Sequence, residues 1–418
     1  GLIYSDEDKM DLQGNCIEPF FKPDYSPDMI LSQNYICHFT TIKKSLFDAV
    51  GGFREGMNGS QDHDLVLRIL EKTNQIHHIP KILYHWRKIP GSTAAVYDSK
   101  SYAWEAGRKA IQDTLKAGNI AAGVFFGRFQ GSYRVKRKLI STPLVSIIIP
   151  FRDQPDLLDM CLTAILEKTS YPHFEILGIN NDSRNKKTRD LMDRMTDMDS
   201  RIRFMDYQKP FNYSAINNFA VSQAKGEQIV LMNNDIQIIH PDWIETLLEH
   251  SQRPEVGAVG AKLLYPNGTV QHAGIAIGLY GNAGHPHRFF HKDDNGYYAR
   301  PHVIHNVSAV TGALMMVKKG LYLDVAGLDA ENLGVAYNDV DFCLKLREKG
   351  YLNVFTPYCE AFHHESASRG YENTPERKRR FEKEMRFFQS RWKDVLDAGD
   401  PYYNVNLSLE SEDFAIRI

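Results

Sequence analysis

The chain reads as an α/β protein with one complete domain, built on a mostly parallel sheet, preceded by the rear half of a second copy of the same fold. Three observations predict this. Apolar strand-like runs alternate with helical stretches between Pro143 and Lys225, as in VSIIIP (Val145 to Pro150) and FEILGIN (Phe174 to Asn180), the pattern of parallel strands joined by crossover helices. The run GEQIVLMNND (Gly226 to Asp235) leads four apolar residues straight into Asn233, Asn234 and Asp235, as a buried strand does when it delivers polar side chains to the ligand edge of a sheet. An ordered series of motifs also occurs twice, the mark of a repeat.

The 418 residues, 43% hydrophobic and 24% charged, suffice for two domains and a full enzyme core. A net charge of −2 gives no global basic field, which argues against nucleic acid as a partner. Cys16, Cys37, Cys161, Cys343 and Cys359 are scattered without ligand spacing, as expected of reduced thiols in a cytoplasmic protein. No apolar run approaches the ~20 residues of a membrane-spanning helix. The chain opens at Gly1 without Met or a signal-like segment, so it is expected to act in the cytoplasm, at most peripherally on the inner membrane face, and to be a piece of something longer.

The first copy opens on a strand at Leu2 to Tyr4, followed by Asp6, Glu7 and Asp8, the arrangement also seen from Leu231 to Asp235. Tyr35 to Thr41 has strand composition, and Lys44 to Val50 reads as a short helix ending at Gly51-Gly52. SLFDAVGGF (Ser45 to Phe53) parallels LYLDVAGLD (Leu321 to Asp329). Each leads to an acidic pair opening a helix, Asp62 and Asp64 in one copy and Asp339 and Asp341 in the other. Each ends on a strand carrying a histidine, His85 and His363. The second copy holds a longer interval before its acidic pair, placed around Gly257 to His305 as a Gly- and His-rich loop region. Residues 1–98 thus form the rear half-domain, 99–140 a linker helix with short strands, 141–395 the complete domain and 396–418 a tail. Thr374-Pro375-Glu376 starts a last helix. Its stripe of Phe381, Met385, Phe388, Trp392 and Val395 faces the core, and Arg377, Lys378, Arg379, Arg380 and Lys383 sit in solvent; membrane-surface binding is the alternative.

Asn233 and Asp235, one strand period apart, point oxygen ligands to the same side, and hard divalent cations prefer oxygen. Asp235 is the first metal-ligand candidate. A strand-to-turn cluster satisfying its own backbone is the alternative.

Together, VSIIIPFRD, PFNYSAINNFA (Pro210 to Ala220), LMNNDI, GLDAENLGVAYNDVDFCLKL and HHESASRG (His363 to Gly370) resemble the inverting family 2 glycosyltransferases. YSDEDK, VGGFREGMNGSQDHDLVLRI and ILYHWR extend the match to the first copy. These enzymes have the GT-A fold, a Rossmann-like sheet that binds a nucleotide-diphosphate sugar. Within the family the chain resembles the tandem-domain bacterial enzymes that build O-antigen and related surface polysaccharides. It spans nearly the whole chain, and the order of the motifs is more specific than any one of them.

The resemblance implies a nucleotide-diphosphate sugar donor, a lipid- or polymer-linked glycan acceptor and a divalent metal, Mn²⁺ or Mg²⁺. Asp235 and His363 would hold the metal, with His364 as the competing ligand. Asp339 takes the place of the base that accepts the acceptor's proton, with Asp341 orienting the acceptor; both could instead only cap a helix. Pro150, Phe151, Arg152, Asn180, Asp182, Asn217, Asn233 and Asn234 fall at donor-binding positions, and Arg369 would clamp the diphosphate. Asp6, Asp8, Asp62, Asp64 and His85 are the first-copy counterparts. Without a nucleotide-binding half, that copy is expected to be inactive as it stands. Asn180, Asn233 and Asn338 stand where the family often carries carboxylates. They keep open the alternative of a noncatalytic glycan-binding or scaffolding module. A glycoside hydrolase would need two carboxylates flanking the bond and no nucleotide unit.

Overall fold

The computed structural model describes residues 1–89, 101–364 and 374–417. The first unit contains β1 (Leu2–Met10), β2 (Cys16–Phe20), α1 (Pro27–Ser32), β3 (Thr40–Ile42), α2 (Lys44–Ala49), α3 (Gln61–Leu70) and β4 (Ile76–Arg87). β1 pairs antiparallel with β2 and β3 and parallel with β4. Of the expected strand from Tyr35 to Thr41 only the end is extended, because Tyr35 and Ile36 are drawn into the core beneath it. The helix before Gly51-Gly52 forms as expected, and both glycines adopt positive φ, +78° and +68°, where a side chain would be strained.

Next come α4 (Ser101–Ala117), β5 (Ala122–Phe126) and β6 (Tyr133–Arg137). The sequence reading made this a linker. Instead Ala106, Ala110, Ile111, Leu115, Val124, Tyr133 and Val135 join Leu2, Tyr4, Leu65 and Ile69 in one core. The apolar stripe of α4 needed a partner, and α3 and β5 supply it.

The second unit begins with β7 (Val145–Phe151), α5 (Pro155–Lys168), β8 (Phe174–Asn180), α6 (Lys186–Met198), β9 (Ile202–Asp206), α7 (Tyr213–Gln223), β10 (Gln228–Met232) and β11 (Ile236–Ile238). It continues with α8 (Trp243–Ser251), β12 (Val256–Leu264), β13 (Val270–His272), β14 (Ala276–Ile277), β15 (Ala283–Gly284), β16 (His305–Val307), β17 (Leu314–Lys318) and α9 (Lys319–Asp324). It closes with α10 (Asn338–Glu348), β18 (Leu352–His363), α11 (Pro375–Arg391) and α12 (Lys393–Ala398). The sheet order is β11-β18-β12-β17-β10-β7-β8-β9, with β13 beside β12 and β16 beside β18.

β10, β7, β8 and β9 are parallel, as the alternation of strands and helices predicts. Beyond β10 the sheet is mixed: β17 lies antiparallel between β10 and β12, while β12 and β18 are parallel. Both faces of β7 are covered, Ile147 and Ile149 entering one core and Ile148 the other. That is why the strand is apolar without alternation.

β12 has the same pairing pattern as β1: antiparallel to the next strand (β13) and to a later one (β17), and parallel to the last (β18). β1 therefore corresponds in topology to β12 and not to β10, so Asp6 and Asp8 are not counterparts of Asp235. The error came from matching a strand followed by acids, a local pattern that carries no pairing information. The Gly- and His-rich stretch is no loose loop either. Its His272, His287 and His305 are buried.

The last residues are likewise packed and not a free tail. Tyr403, Leu407 and Phe414 share a small core with Phe21, Ala276 and Leu279. On α11 and its continuation Phe388 and Trp392 are buried, so the stripe faces inward as expected, while Phe381 stays partly open against Tyr337. Among the described residues no helix is long and apolar enough to cross a membrane.

Candidate functional site

A cleft of about 440 Å³ opens at the carboxyl ends of β7 and β10. Pro150, Phe151, Arg152, Asn233, Asn234, Asp235, Asp339 and His363 line it together. β10 delivers the Asn-Asn-Asp turn, which is tied down on both sides. Asn233 N–H donates to the Ala313 carbonyl at 3.0 Å, and His364 N–H donates to the Asp235 carbonyl at 3.0 Å. The second bond fixes the end of β18 against the turn and turns its two histidines apart. His363 faces the cleft, whereas His364 Nε2 lies 3.3 Å from Gln237 Oε1.

His363 Nδ1 lies 2.5 Å from Gln271 Oε1. An amide oxygen only accepts, so Nδ1 carries the proton and Nε2 presents its lone pair. That lone pair faces Asp235 Oδ1 at 3.1 Å and Asn233 Nδ2 at 3.3 Å. A carboxylate oxygen and an imidazole lone pair this close are a donor set for a cation. An outer partner fixing the ring through its other nitrogen is the usual support of a metal-bound histidine. The residues present therefore fit a divalent ion, with the remaining positions open to oxygen ligands from elsewhere.

Asp339 sits in the first turn of α10, across the cleft. Gly312 N–H donates to its Oδ2 at 2.8 Å and Val340 N–H to its Oδ1 at 2.9 Å. Tyr213 O–H holds the Gly312 carbonyl at 3.0 Å, so α7 steadies the loop that steadies Asp339. The side chain is half-buried, and burial pushes its carboxyl above the ordinary value despite the hydrogen bonds from Gly312, Val340 and Thr311. A carboxylate raised in this way is a better proton acceptor than an exposed one.

Other expected site residues do not reach the cleft. Asp341 is fully buried behind α10, where its Oδ1 accepts from Trp392 Nε1 at 3.0 Å and Arg391 Nε at 3.1 Å. Asn217 is buried on α7 and donates to the Tyr213 carbonyl. Asn180 uses its amide internally, donating to Asp206 and accepting from Ser183 N–H, and Asp182 is exposed beside Arg184. Arg369 lies outside the described residues. Sequence reasoning missed Asn181, Phe211, Tyr213, Thr311, Gly312 and Arg377, which also line the cleft. The motif PFNYSAINNFA contains Phe211 and Tyr213, but Thr311 and Gly312 carry no local signal. Arg377 had been read only as surface decoration.

In the first unit Asp62 borders a separate cavity of about 550 Å³ with His38 and Trp86. His85 is not part of it. Counted from the proline each strand carries, Pro80 in β4 and Pro357 in β18, it is Trp86 that holds the place of His363, and His85 points to the opposite face. Asp6 is buried, accepting from Lys22 N–H, His78 Nε2 and Asn404 Nδ2. Asp64 is held by Arg54 and Arg68, much as Asp341 is held by Arg391.

Fold and cleft together define an α/β protein with a polar site at the carboxyl edge of its parallel strands. Residues 146–312 match the model of Glycosyl transferase family 2. The chain is 44% identical over 418 residues to an uncharacterised protein, y4gI, of Sinorhizobium fredii, covering 99% of this chain and 46% of that one. It is 39% identical over 422 residues to the O-antigen biosynthesis protein RfbC of Myxococcus xanthus, covering 100% of this chain and 32% of that one. The chain thus spans less than half the length of these relatives. Among solved structures it is similar to a mannosyltransferase, PcManGT, of Pyrobaculum calidifontis in complex with GDP-Man and Mn²⁺ (16% identity, TM-score 0.45, covering 62% of this chain and 69% of that one). GalNAc-T7 with UDP, GalNAc and Mn²⁺ is comparable (11% identity, TM-score 0.48, covering 64% and 53%).

Proposed function

We propose that the chain transfers a sugar from a nucleotide-diphosphate donor to a hydroxyl of a lipid- or polymer-linked surface glycan, with inversion at the anomeric carbon. The observation that carries this reading is the division of labour between the two carboxylates that line the cleft among the described residues. Asp235 faces an imidazole lone pair, and Asp339 stands apart from it with a raised pKa. Asp339 would accept the proton of the acceptor hydroxyl as its oxygen attacks the anomeric carbon, one displacement giving one inversion. Its Gly312 and Val340 N–H bonds aim the carboxylate.

Asp235 and His363 would hold Mn²⁺ or Mg²⁺, which supplies Lewis-acid stabilisation of the leaving diphosphate. Arg152 and Arg377 bring positive charge to the same cleft and suit a diphosphate. The family match supports a sugar donor, and the likeness to an O-antigen biosynthesis protein supports a surface-glycan acceptor. The repeated pairing pattern supports reading the first unit as the rear half of a second domain of the same kind. The test is a panel of nucleotide sugars with Mn²⁺ and the full chain, following release of nucleoside diphosphate. Metal-dependent turnover of at least one donor is expected. Glycan binding without turnover of any donor would instead favour a noncatalytic binding module.

A further inference from the structure

We propose that Asp8, Cys16 and His85 form a zinc site on the outer face of the first unit, separate from either cavity. The three side chains come from three neighbouring strands, β1, β2 and β4, and their ligand atoms lie within 4.8 Å of one another. Asp8 and His85 are directly opposite in the parallel pairing of β1 and β4. A register shift between Glu7 and Lys9 in the pairing of β1 with β2 falls at Asp8. Such bulges re-aim a side chain, and here the carboxylate is turned onto His85. Cys16, at the start of β2 opposite Met10, completes the group.

Thiolate, imidazole and carboxylate are the donor set of zinc, whose fourth position is then open to water. The geometry fits closely. Zn–S and Zn–N bonds of about 2.3 and 2.0–2.1 Å at a tetrahedral angle separate sulfur and nitrogen by roughly 3.5 Å, and Cys16 Sγ lies 3.5 Å from His85 Nδ1. Asp8 Oδ1 lies 2.5 Å from the same nitrogen. That pair would open by roughly 1 Å as the ion replaces the shared proton. Cys16 and His85 are exposed and Asp8 is buried, so an ion has access from solvent while one ligand is anchored. Bound zinc would clamp three strands of a sheet that has only four.

The neighbouring cluster of Glu7, Cys37 and His38 is a poorer candidate. Glu7 already holds the buried Lys22 ammonium at 3.0 Å, and Cys37 Sγ donates to the Asn34 carbonyl at 2.8 Å. A cation there would have to displace a lysine.

The test is a Co²⁺ titration of the metal-stripped full chain, read by the charge-transfer absorption that a thiolate gives to bound Co²⁺, followed by displacement with Zn²⁺. One equivalent should saturate the band, and zinc should abolish it. Cys16→Ser should remove the band, and His85→Ala should weaken Co²⁺ binding about tenfold or more, while Cys37→Ser and Asp235→Ala leave it unchanged. Because Cys16 is exposed, Cys16→Ser should melt at the wild-type temperature in chelator, and zinc should raise the melting temperature of the wild type more than that of this variant. Absence of a thiolate band in the wild type would overturn the proposal, as would a band that survives Cys16→Ser or one lost in Cys37→Ser. None of these readouts depends on sugar transfer.

Discussion

Asp339 and Asp341 differ by two positions and have opposite fates, for a reason that lies in helix geometry. Two residues at 3.6 per turn are about 200° apart, so a helix that shows one of them to the cleft must turn the other to the core. The proposed metal ligand, Asp235, and the proposed base, Asp339, should then fail differently. Asp339→Asn is expected to lower turnover by about 10²-fold or more with donor binding nearly intact and no response to added metal. Asp235→Ala should instead weaken metal-dependent donor binding and recover partly with more Mn²⁺. Steady-state kinetics of both variants across a Mn²⁺ titration decides this, and near-normal turnover in Asp339→Asn would remove the base assignment. The pH dependence follows from the same residue. Because burial raises the Asp339 carboxyl above its ordinary 3.8, the protonated, inactive form builds up at higher pH than usual. The acid limb of kcat/KM should therefore lie above 3.8, with activity lost as pH falls through it. A limb at or below 3.8 would mean that the carboxylate is not the group titrating. That Asp235, Asp339 and His363 share one cleft was legible because each lies at or beside the end of an element with a strong local pattern. Asp341 and Asn217 were misread because residue type does not reveal which way a helix is turned.

Single elements explain both the successes and the misses at the next scale. Strands buried on both faces, such as β7, β8 and β10, announce themselves as unbroken apolar runs, and Asn212, Asn185 and Thr374 cap their helices in the structure. Pairing partners are nonlocal and were not legible, which is how β1 came to be matched with β10 instead of β12. β13 is another such case. It contributes Gln271, which fixes the ring of His363, and nothing in the sequence links the two. Gln271→Ala should lower Mn²⁺ affinity about 10–100-fold, as loss of an outer partner does. It should leave the Asp339-dependent acid limb where it was; unchanged metal affinity would mean that packing alone orients the ring. The junction of α10 with α11 and α12 makes the complementary case. Trp392→Phe removes one of the donors to the buried Asp341 and should destabilise the protein by about 1–3 kcal/mol with kcat retained. If kcat falls with stability unchanged, Asp341 acts in the reaction after all.

A buried polar cluster around Asp28 helps to join the two units. Asp28, on α1 of the first unit, receives Arg253 Nη1 at 2.5 Å and Asn306 Nδ2 at 2.8 Å, both from the second unit. Ser26 O–H and the Asp28 N–H donate to Asn306 Oδ1 at 2.8 and 3.1 Å. A tyrosine- and phenylalanine-rich contact formed by Phe21, Tyr297 and Phe414 lies alongside. Burial alone would raise the Asp28 carboxyl, but the charge and hydrogen bond of Arg253 together with His250 and Arg137 outweigh it and hold the group well below its ordinary 3.8. The unfolded chain takes up the proton first. This contribution to stability is thus complete above pH 3.8 and is lost as pH falls toward the depressed folded value. Asp28→Ala leaves Arg253 charged and buried with only the half-exposed Glu255, at 2.9 Å from its Nε, as a carboxylate partner, which should destabilise the chain by about 3 kcal/mol or more. Replacing both partners together, Asp28→Leu with Arg253→Met, should lose much less, because neither charge is then left stranded. Urea unfolding of the two variants separates the effects. The single variant should also show a shallower fall in stability below pH 4 than the wild type. An unfolding midpoint in Asp28→Ala equal to the wild type would mean that the apolar contact holds the units together without the ion pair.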